Sequence, residues 1–302
     1  NAKDFILTLK PAIAIFVKYE FWYYYINELK KQKIPTYIVS AIFRESHVFF
    51  KKYAGFYRGI LTMYETIFVQ DEKSAKILKK HGINNFEITG DTRIDRVIEI
   101  AEQYYSNSFI EKFVDNKFTI VAGSTWPADE KIICEFINNN SANYKLLIAP
   151  HEVHEDNLNR LENELTVQSC RLSHAETQNA KDVSVVIIDS IGILSKIYRY
   201  GHIAYVGGGF GKGIHNILEA AVYKIPVIFG PNHTKFIEAN NLIANRLAFC
   251  IQNSNDFNCT INKIINNPDV QNIVKTQMKE YFDLSAGCSN RIFSLLPLKN
   301  DV

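Results

Sequence analysis

Residues 203–221 read IAYVGGGFGKGIHNILEAA, and this stretch decides the fold. The apolar run Ile203 to Val206 stops at Gly207, Gly208 and Gly209. A second pair, Gly211 and Gly213, leads into a helical pattern beginning at Ile214. A strand, a glycine turn and a helix in that order form half of a parallel α/β unit. Glycines let the backbone take φ > 0 and approach a ligand closely. A helix N-terminus behind them would offer unpaired N–H groups and partial positive charge to an anion. His215, Asn216 and Glu219 are spaced to share one helix face. The pattern predicts a site for a phosphate with a ribose attached.

Working outward, the same alternation covers the chain. Strands are expected at Ile13–Val17, the last part of an apolar run from Pro11, and at Thr36–Ile42, Thr66–Val69 and Phe86–Thr89. A second series follows at Phe118–Ala122, Lys145–Ala149, Val183–Ile188, Ile203–Val206 and Pro226–Phe229. Helices are expected between them, at Phe21–Lys31, Glu72–His81, a stretch opened by Pro127, and Ile191–Tyr200. Val48–Tyr64 reads as an aromatic, basic helical stretch, and Asp95–Asn116 as helix and connector. The reading is an α/β protein of two units, 1–115 and 116–302, each with a mostly parallel sheet covered on both faces.

Composition narrows the function. The 302 residues are 47% hydrophobic, enough for two cores. Lys and Arg number 34 against 32 Asp and Glu, so no global field argues for nucleic acid. The five cysteines are scattered without a CxxC pair, which argues against zinc and for a reduced setting. No uninterrupted apolar run reaches about 18 residues, so no membrane span is visible.

Polar residues collect just beyond the strands of the second unit, where open α/β sheets bind ligands. They are Ser124 and Thr125, His151 and Glu152, the glycine loop, and Asn232, His233 and Lys235. Glu219 could accept both hydroxyls of a ribose, or be a solvated helix carboxylate. Asn216 could donate to phosphate, or cap a helix. His215 either contacts the ligand or closes the loop by packing. Neither the dinucleotide fingerprint nor a Walker A pattern is present. Glu20 precedes Phe21-Trp22-Tyr23-Tyr24-Tyr25. A carboxylate walled by aromatics could hold a proton more tightly than in water or position a substrate hydroxyl. The alternative is a helix-start acid favoured by the dipole. Arg44, His47, Lys51, Lys52 and Arg58, interleaved with Phe49, Phe50, Tyr53, Phe56 and Tyr57, could face anionic lipid or an anionic acceptor, or be an amphipathic helix with core aromatics.

Taken in order, these motifs resemble one family. Phe16-Val17-Lys18-Tyr19-Glu20-Phe21-Trp22, Gly123-Ser124-Thr125, Gly207-Gly208, His215-Asn216-xx-Glu219-Ala220-Ala221 and Pro226-Val227-Ile228-Phe229-Gly230-Pro231, with Phe236 beyond, look like the 3-deoxy-D-manno-octulosonic acid (Kdo) transferases of Gram-negative bacteria. The resemblance implies a GT-B glycosyltransferase with two Rossmann-like domains facing across a cleft. It implies transfer of Kdo from CMP-Kdo to the lipid A precursor in lipopolysaccharide synthesis, with inversion and without metal or cofactor, on the cytoplasmic side of the inner membrane. Carried onto this chain, Gly207, Gly208, Asn216 and Glu219 would hold CMP, Ser124 would lie near the phosphate, and Glu20 would support the acceptor. Gly209, Thr125, His151 and His215 complete the expected donor site, with Lys235 a partner for the Kdo carboxylate.

The chain departs from the family pattern at several places. Lys18 stands where the family has an acid, Pro150-His151-Glu152 where it has Pro-Arg-His, Ser40-Ala41-Ile42 where it has Asn-Ala-Arg, and Lys235 where it has Asn. The family's short apolar anchor and its Ser-x-Gly-Glu base segment do not occur in Asn1–Val302. The expectation is that both lie ahead of Asn1. The N-domain would then be incomplete, and this chain would bind CMP better than it catalyses. The competing readings are another GT-B enzyme or epimerase acting on a UDP-sugar, and a non-catalytic membrane-surface module.

Overall fold

The computed structural model describes residues 1–297; the last five residues of the expected second domain lie outside them. The chain forms two compact units, Asn1–Arg96 together with the segment from Ser285, and Val97–Leu284. The expected junction lay near residue 115. The observed one falls inside the helix Thr92–Glu102, and the chain end returns to the first unit. The reason is specific. Asp95 accepts the N–H groups of Gly287 and Ser289 at 2.7 and 2.6 Å, and Arg291 donates to the Thr89 carbonyl at 2.9 Å. Ile292 and Leu296 pack on Tyr37 and Phe68.

The first unit holds four parallel strands in sequential order: β1 (Ala14–Val17), β2 (Thr36–Ala41), β3 (Thr66–Val69) and β4 (Phe86–Ile88). Alternation decides the two faces. Ile38 and Ile67 join Ile26, Phe49 and Leu78 in one cluster, whereas Tyr37 and Phe68 point the other way. One expectation changes here. β1 is an edge strand, so Ile15 and Val17 are exposed rather than buried. Ahead of it, Ala2–Leu9 is helical, with Asn1 and Asp4 closing a capping box.

The basic–aromatic stretch is broken. A 3-10 turn covers Val48–Phe50 and a helix covers Gly55–Leu61. Phe49 and Phe50 join the core, while Tyr53 and Phe56 are 81% and 59% exposed. The core-aromatic reading thus holds for Phe49 and Phe50, while Tyr53 and Phe56 face outward.

The second unit carries seven strands. They are β5 (Phe118–Thr125), β6 (Tyr144–Pro150), β7 (Ser169–Arg171), β8 (Val185–Ile187), β9 (Ile203–Val206), β10 (Val227–Phe229) and β11 (Ala248–Cys250). Their order is β11-β10-β9-β5-β6-β8-β7, and all pairs are parallel. The central strands are apolar on both faces, as a doubly covered sheet requires. Ile120, Ile148, Tyr205 and Ile228 pack against Ile133, Leu158 and Phe257. From β5 the chain winds outward through β6, then returns to build β9 on the other side of β5. The carboxyl ends of β5 and β9 therefore flank a topological switch point, where the crevice of a doubly wound sheet opens.

Candidate functional site

The switch point brings Ser124 and Gly207 together. The Gly207 N–H donates to Gly123 O at 2.9 Å, and a Cβ on Gly207 would collide with the Ser124 carbonyl. Gly208 has φ +90°, and a side chain there would meet Gly213 O at 2.5 Å. Any other residue would reopen the loop. Ser124 itself has φ +52°, at a register shift just before the last pair of the β5–β6 ladder, Thr125 with Pro150. A non-glycine residue held in that region at a strand end is a feature of ligand sites.

Beyond these strand ends lies a cavity of about 590 Å³. Its wall runs from Trp126, Pro127 and Ala128 to Phe210, Lys212 and His215. Pro127 opens the 14-residue helix Pro127–Asn140, as expected. That helix end is largely used up. Pro127 has no N–H, and the Trp126 N–H goes to Asp129 Oδ2 at 3.0 Å.

The expected helix at Ile214 is not formed. The helix covers only Leu218–Ala221, a single turn. The cause is that the His215 N–H returns to Gly207 O at 3.1 Å, and buried Ile214 and Ile217 hold the intervening segment against the sheet. One turn supplies little macrodipole, so the charge on a phosphate would have to be met otherwise. Of the glycine-loop N–H groups, those of Gly207, Gly208, Gly211 and Gly213 already have partners inside the protein.

His215 and Asn216 diverge instead of sharing a face with one target. His215 Nε2 accepts the Trp126 indole N–H at 3.0 Å, and its ring lies 4.5 Å from that of His151, which also stacks on Trp126 at 4.6 Å. Burial, helped by His151 and opposed by Asp129, lowers the His215 pKa below the ordinary 6.5. The ring is thus the neutral acceptor that the indole bond needs. Asn216 Nδ2 donates to Glu219 Oε1 at 2.9 Å, while its Oδ1 is buried without a partner. An orphaned buried acceptor beside a half-buried carboxylate fits a ligand that brings hydroxyl or amine donors.

The remaining expected residues divide. Gly209 lies against Gly230, and its carbonyl accepts the Asn232 N–H at 2.9 Å, which joins the loops after β9 and β10. Thr125 is buried, and its hydroxyl donates to Glu130 at 2.9 Å. It builds the site from beneath rather than facing a ligand. Lys235 is exposed and does not line the cavity. Glu20, in the other unit, is exposed rather than walled in; its backbone carbonyl accepts from Tyr64. Among the described residues no group of three or more His, Cys, Asp or Glu is placed to hold a metal ion.

Sequence reading missed two buried acids, Asp129 and Glu130. Asp129 sits three residues after Trp126 at a helix start opened by proline, which is the position of a capping acid. Glu130 accepts from Thr125 and pairs with Arg160, and burial pushes its carboxyl above the ordinary value.

Two parallel Rossmann-like units, with a glycine-lined crevice at the switch point of the second, define a GT-B-type fold. The solved structures agree on that fold. The UDP-GlcNAc 2-epimerase of Neisseria meningitidis matches 98% of this chain and 79% of its own, with TM-score 0.67 and 14% identity. The C-terminal CMP-Kdo binding domain of WaaA from Acinetobacter baumannii matches 63% of this chain and 97% of its own, with TM-score 0.50 and 18% identity.

Sequence comparison finds similar proteins. Residues 1–96 match the family model for 3-deoxy-D-manno-octulosonic-acid transferase (kdotransferase). The 3-deoxy-D-manno-octulosonic acid transferase of Rickettsia prowazekii is 27% identical over 87% of this chain and 58% of its own length. The chain is a relative of the Kdo transferases, as its ordered motifs implied, and spans little more than half the length of the first such relatives.

Proposed function

We propose that this chain is the donor-binding and acceptor-side portion of a glycosyltransferase that moves Kdo from CMP-Kdo to a lipid A precursor, inverting the anomeric centre without a metal. The observation that carries the reading is the pair Asn216–Glu219 beside the β5/β9 switch point. There, shortly after the glycine loop, a half-buried carboxylate accepts the Asn216 amide at 2.9 Å, and the oxygen of that amide is buried without a partner. Relatives named Kdo transferase, matched over most of this chain, and the likeness to a domain named for CMP-Kdo binding favour cytidine monophosphate over a uridine diphosphate as the ligand.

In this reading Glu219 accepts the ribose hydroxyls and Asn216 Oδ1 takes a further donor from the nucleotide. Ser124 lies beside the phosphate. A general base takes the proton of the acceptor hydroxyl as its oxygen attacks the anomeric carbon and the bond to the CMP oxygen breaks, and CMP leaves with its charge met by the loop and nearby cations. Glu20 supports the acceptor. The exposed Tyr53, Phe56 and Tyr57 with Lys51 and Lys52 suit an anionic membrane surface, which supports a reaction at the cytoplasmic face of the inner membrane. Among the described residues no helix is long and apolar enough to cross a membrane.

Calorimetric titration with CMP, UDP and cytidine tests the donor assignment. CMP is expected to bind and UDP to bind more weakly. Clear UDP preference would move the chain to the UDP-sugar enzymes whose fold it shares. Vesicle binding through residues 44–59 with no nucleotide affinity would make it a surface module.

A further inference from the structure

A buried carboxylate lies at the base of the glycine loop, on a residue that also lines the cavity. Asp129 is 0% exposed, and both its oxygens are engaged. Oδ1 accepts the Tyr205 hydroxyl at 2.7 Å, and Oδ2 accepts the N–H groups of Gly208 at 2.9 Å and Trp126 at 3.0 Å. The three donors come from β9, from the turn that follows it, and from the residue that precedes Pro127. One side chain therefore joins both strand ends of the switch point.

A charge in that position is costly unless it is matched. Three directed donors and the first turn of a 14-residue helix match it. An apolar residue would fill the same volume but strand a buried Gly208 N–H and a buried tyrosine hydroxyl. The geometry thus asks for an acceptor with two faces. It does not ask for the negative charge, and the charge has a consequence. The spot at the helix N-terminus that an anionic ligand would otherwise occupy is already held by an anion of the protein.

We infer that Asp129 is the positioning residue of the donor site, an internal anion that turns the Gly208 N–H inward, fixes the loop 207–213, and leaves the ligand phosphate to N–H groups and cations on the cavity side. This rests on the nucleotide reading of the crevice, and its conformational half can be tested apart from it. Asparagine can serve the two backbone N–H groups through its oxygen and donate its amide to the Tyr205 oxygen, so it keeps the geometry without the charge. Alanine keeps neither.

The test compares wild type, Asp129→Asn and Asp129→Ala by amide hydrogen exchange over 207–213 and by calorimetry with CMP and cytidine. Exchange in the loop is expected to rise at least about tenfold in the alanine variant and to return close to wild type in the asparagine variant, as loss and retention of a buried hydrogen-bond set require. CMP affinity is expected to fall about tenfold or more in Asp129→Ala and to hold or rise in Asp129→Asn, while the asparagine change leaves cytidine unaffected. Unchanged exchange in Asp129→Ala, or equal damage in both variants, would overturn the inference. A wild-type chain that binds no nucleotide would instead remove the donor reading, and the exchange data would still decide whether Asp129 holds the loop. Should Asp129→Ala not fold, Tyr205→Phe removes one of the three bonds and is expected to raise loop exchange to a smaller extent; wild-type exchange there would count against the inference.

Discussion

At the residue scale the proposed donor site turns on a few polar atoms. Glu219→Ala is expected to weaken CMP binding by about 1–3 kcal/mol, the loss typical of a hydrogen bond to a charged partner, read by calorimetry. An unchanged affinity would remove Glu219 from the ribose role. His215 adds a pH signature. Its pKa is depressed by burial, so its neutral, indole-accepting state is favoured above the ordinary 6.5 and is lost as pH falls through its own lower value. In a Trp22→Phe background the emission of Trp126 should therefore be constant above pH 6.5 and change below it. A transition above 6.5 would contradict the assignment. The Asn216–Glu219 pairing was legible because polar residues at that spacing interrupt an apolar run. The His215–Trp126 bond was not, because it joins residues 89 positions apart.

Elements show where local pattern wins and where tertiary contact overrides it. Most core strands and the Pro127 helix follow from apolar runs and punctuation alone. The single-turn helix at Leu218 does not, since a hydrogen bond to Gly207 O and two buried isoleucines outweigh the helical spacing of 214–221. The left-handed Gly208 carries a clear cost. Gly208→Ala would force a strained φ and a clash with Gly213 O, and a destabilisation of about 1–3 kcal/mol is expected in chemical denaturation. The helix Cys288–Leu295 depends on Asp95 in the same way as a capped helix depends on its cap. Burial pushes the Asp95 carboxyl up, but the N–H groups of Ser289, Gly287 and Cys288 outweigh this and hold it below the ordinary 3.8. That support is present above 3.8 and lost as pH falls through the lower folded value. Asp95→Ala should cost about 1 kcal/mol near neutrality and little in strong acid, measured as unfolding free energy against pH. An equal effect at both pH values would refute the capping role.

For the whole molecule, the two-unit organisation could be read from one restart of the strand–helix alternation, but the return of the chain end to the first unit could not. It rests on Asp95 and Arg291, which are far from their partners in sequence. The likeness to Kdo transferases was legible from motif order rather than from any single motif, since the glycines alone also serve the packing of three strand ends. The exposed aromatics and lysines of 51–57 predict that the chain binds vesicles of anionic lipid more tightly than neutral ones. Substituting Tyr53 and Phe56 by serine should reduce that binding severalfold in a sedimentation assay. Equal binding by the substituted chain would detach the surface from the membrane. The central claim, that the β5/β9 crevice is a cytidine nucleotide site, is tested most directly by calorimetric titration of CMP and UDP into the wild-type chain and Glu219→Ala. The account predicts CMP binding that exceeds UDP binding and falls with the substitution; UDP preference, or CMP binding indifferent to Glu219, would contradict it.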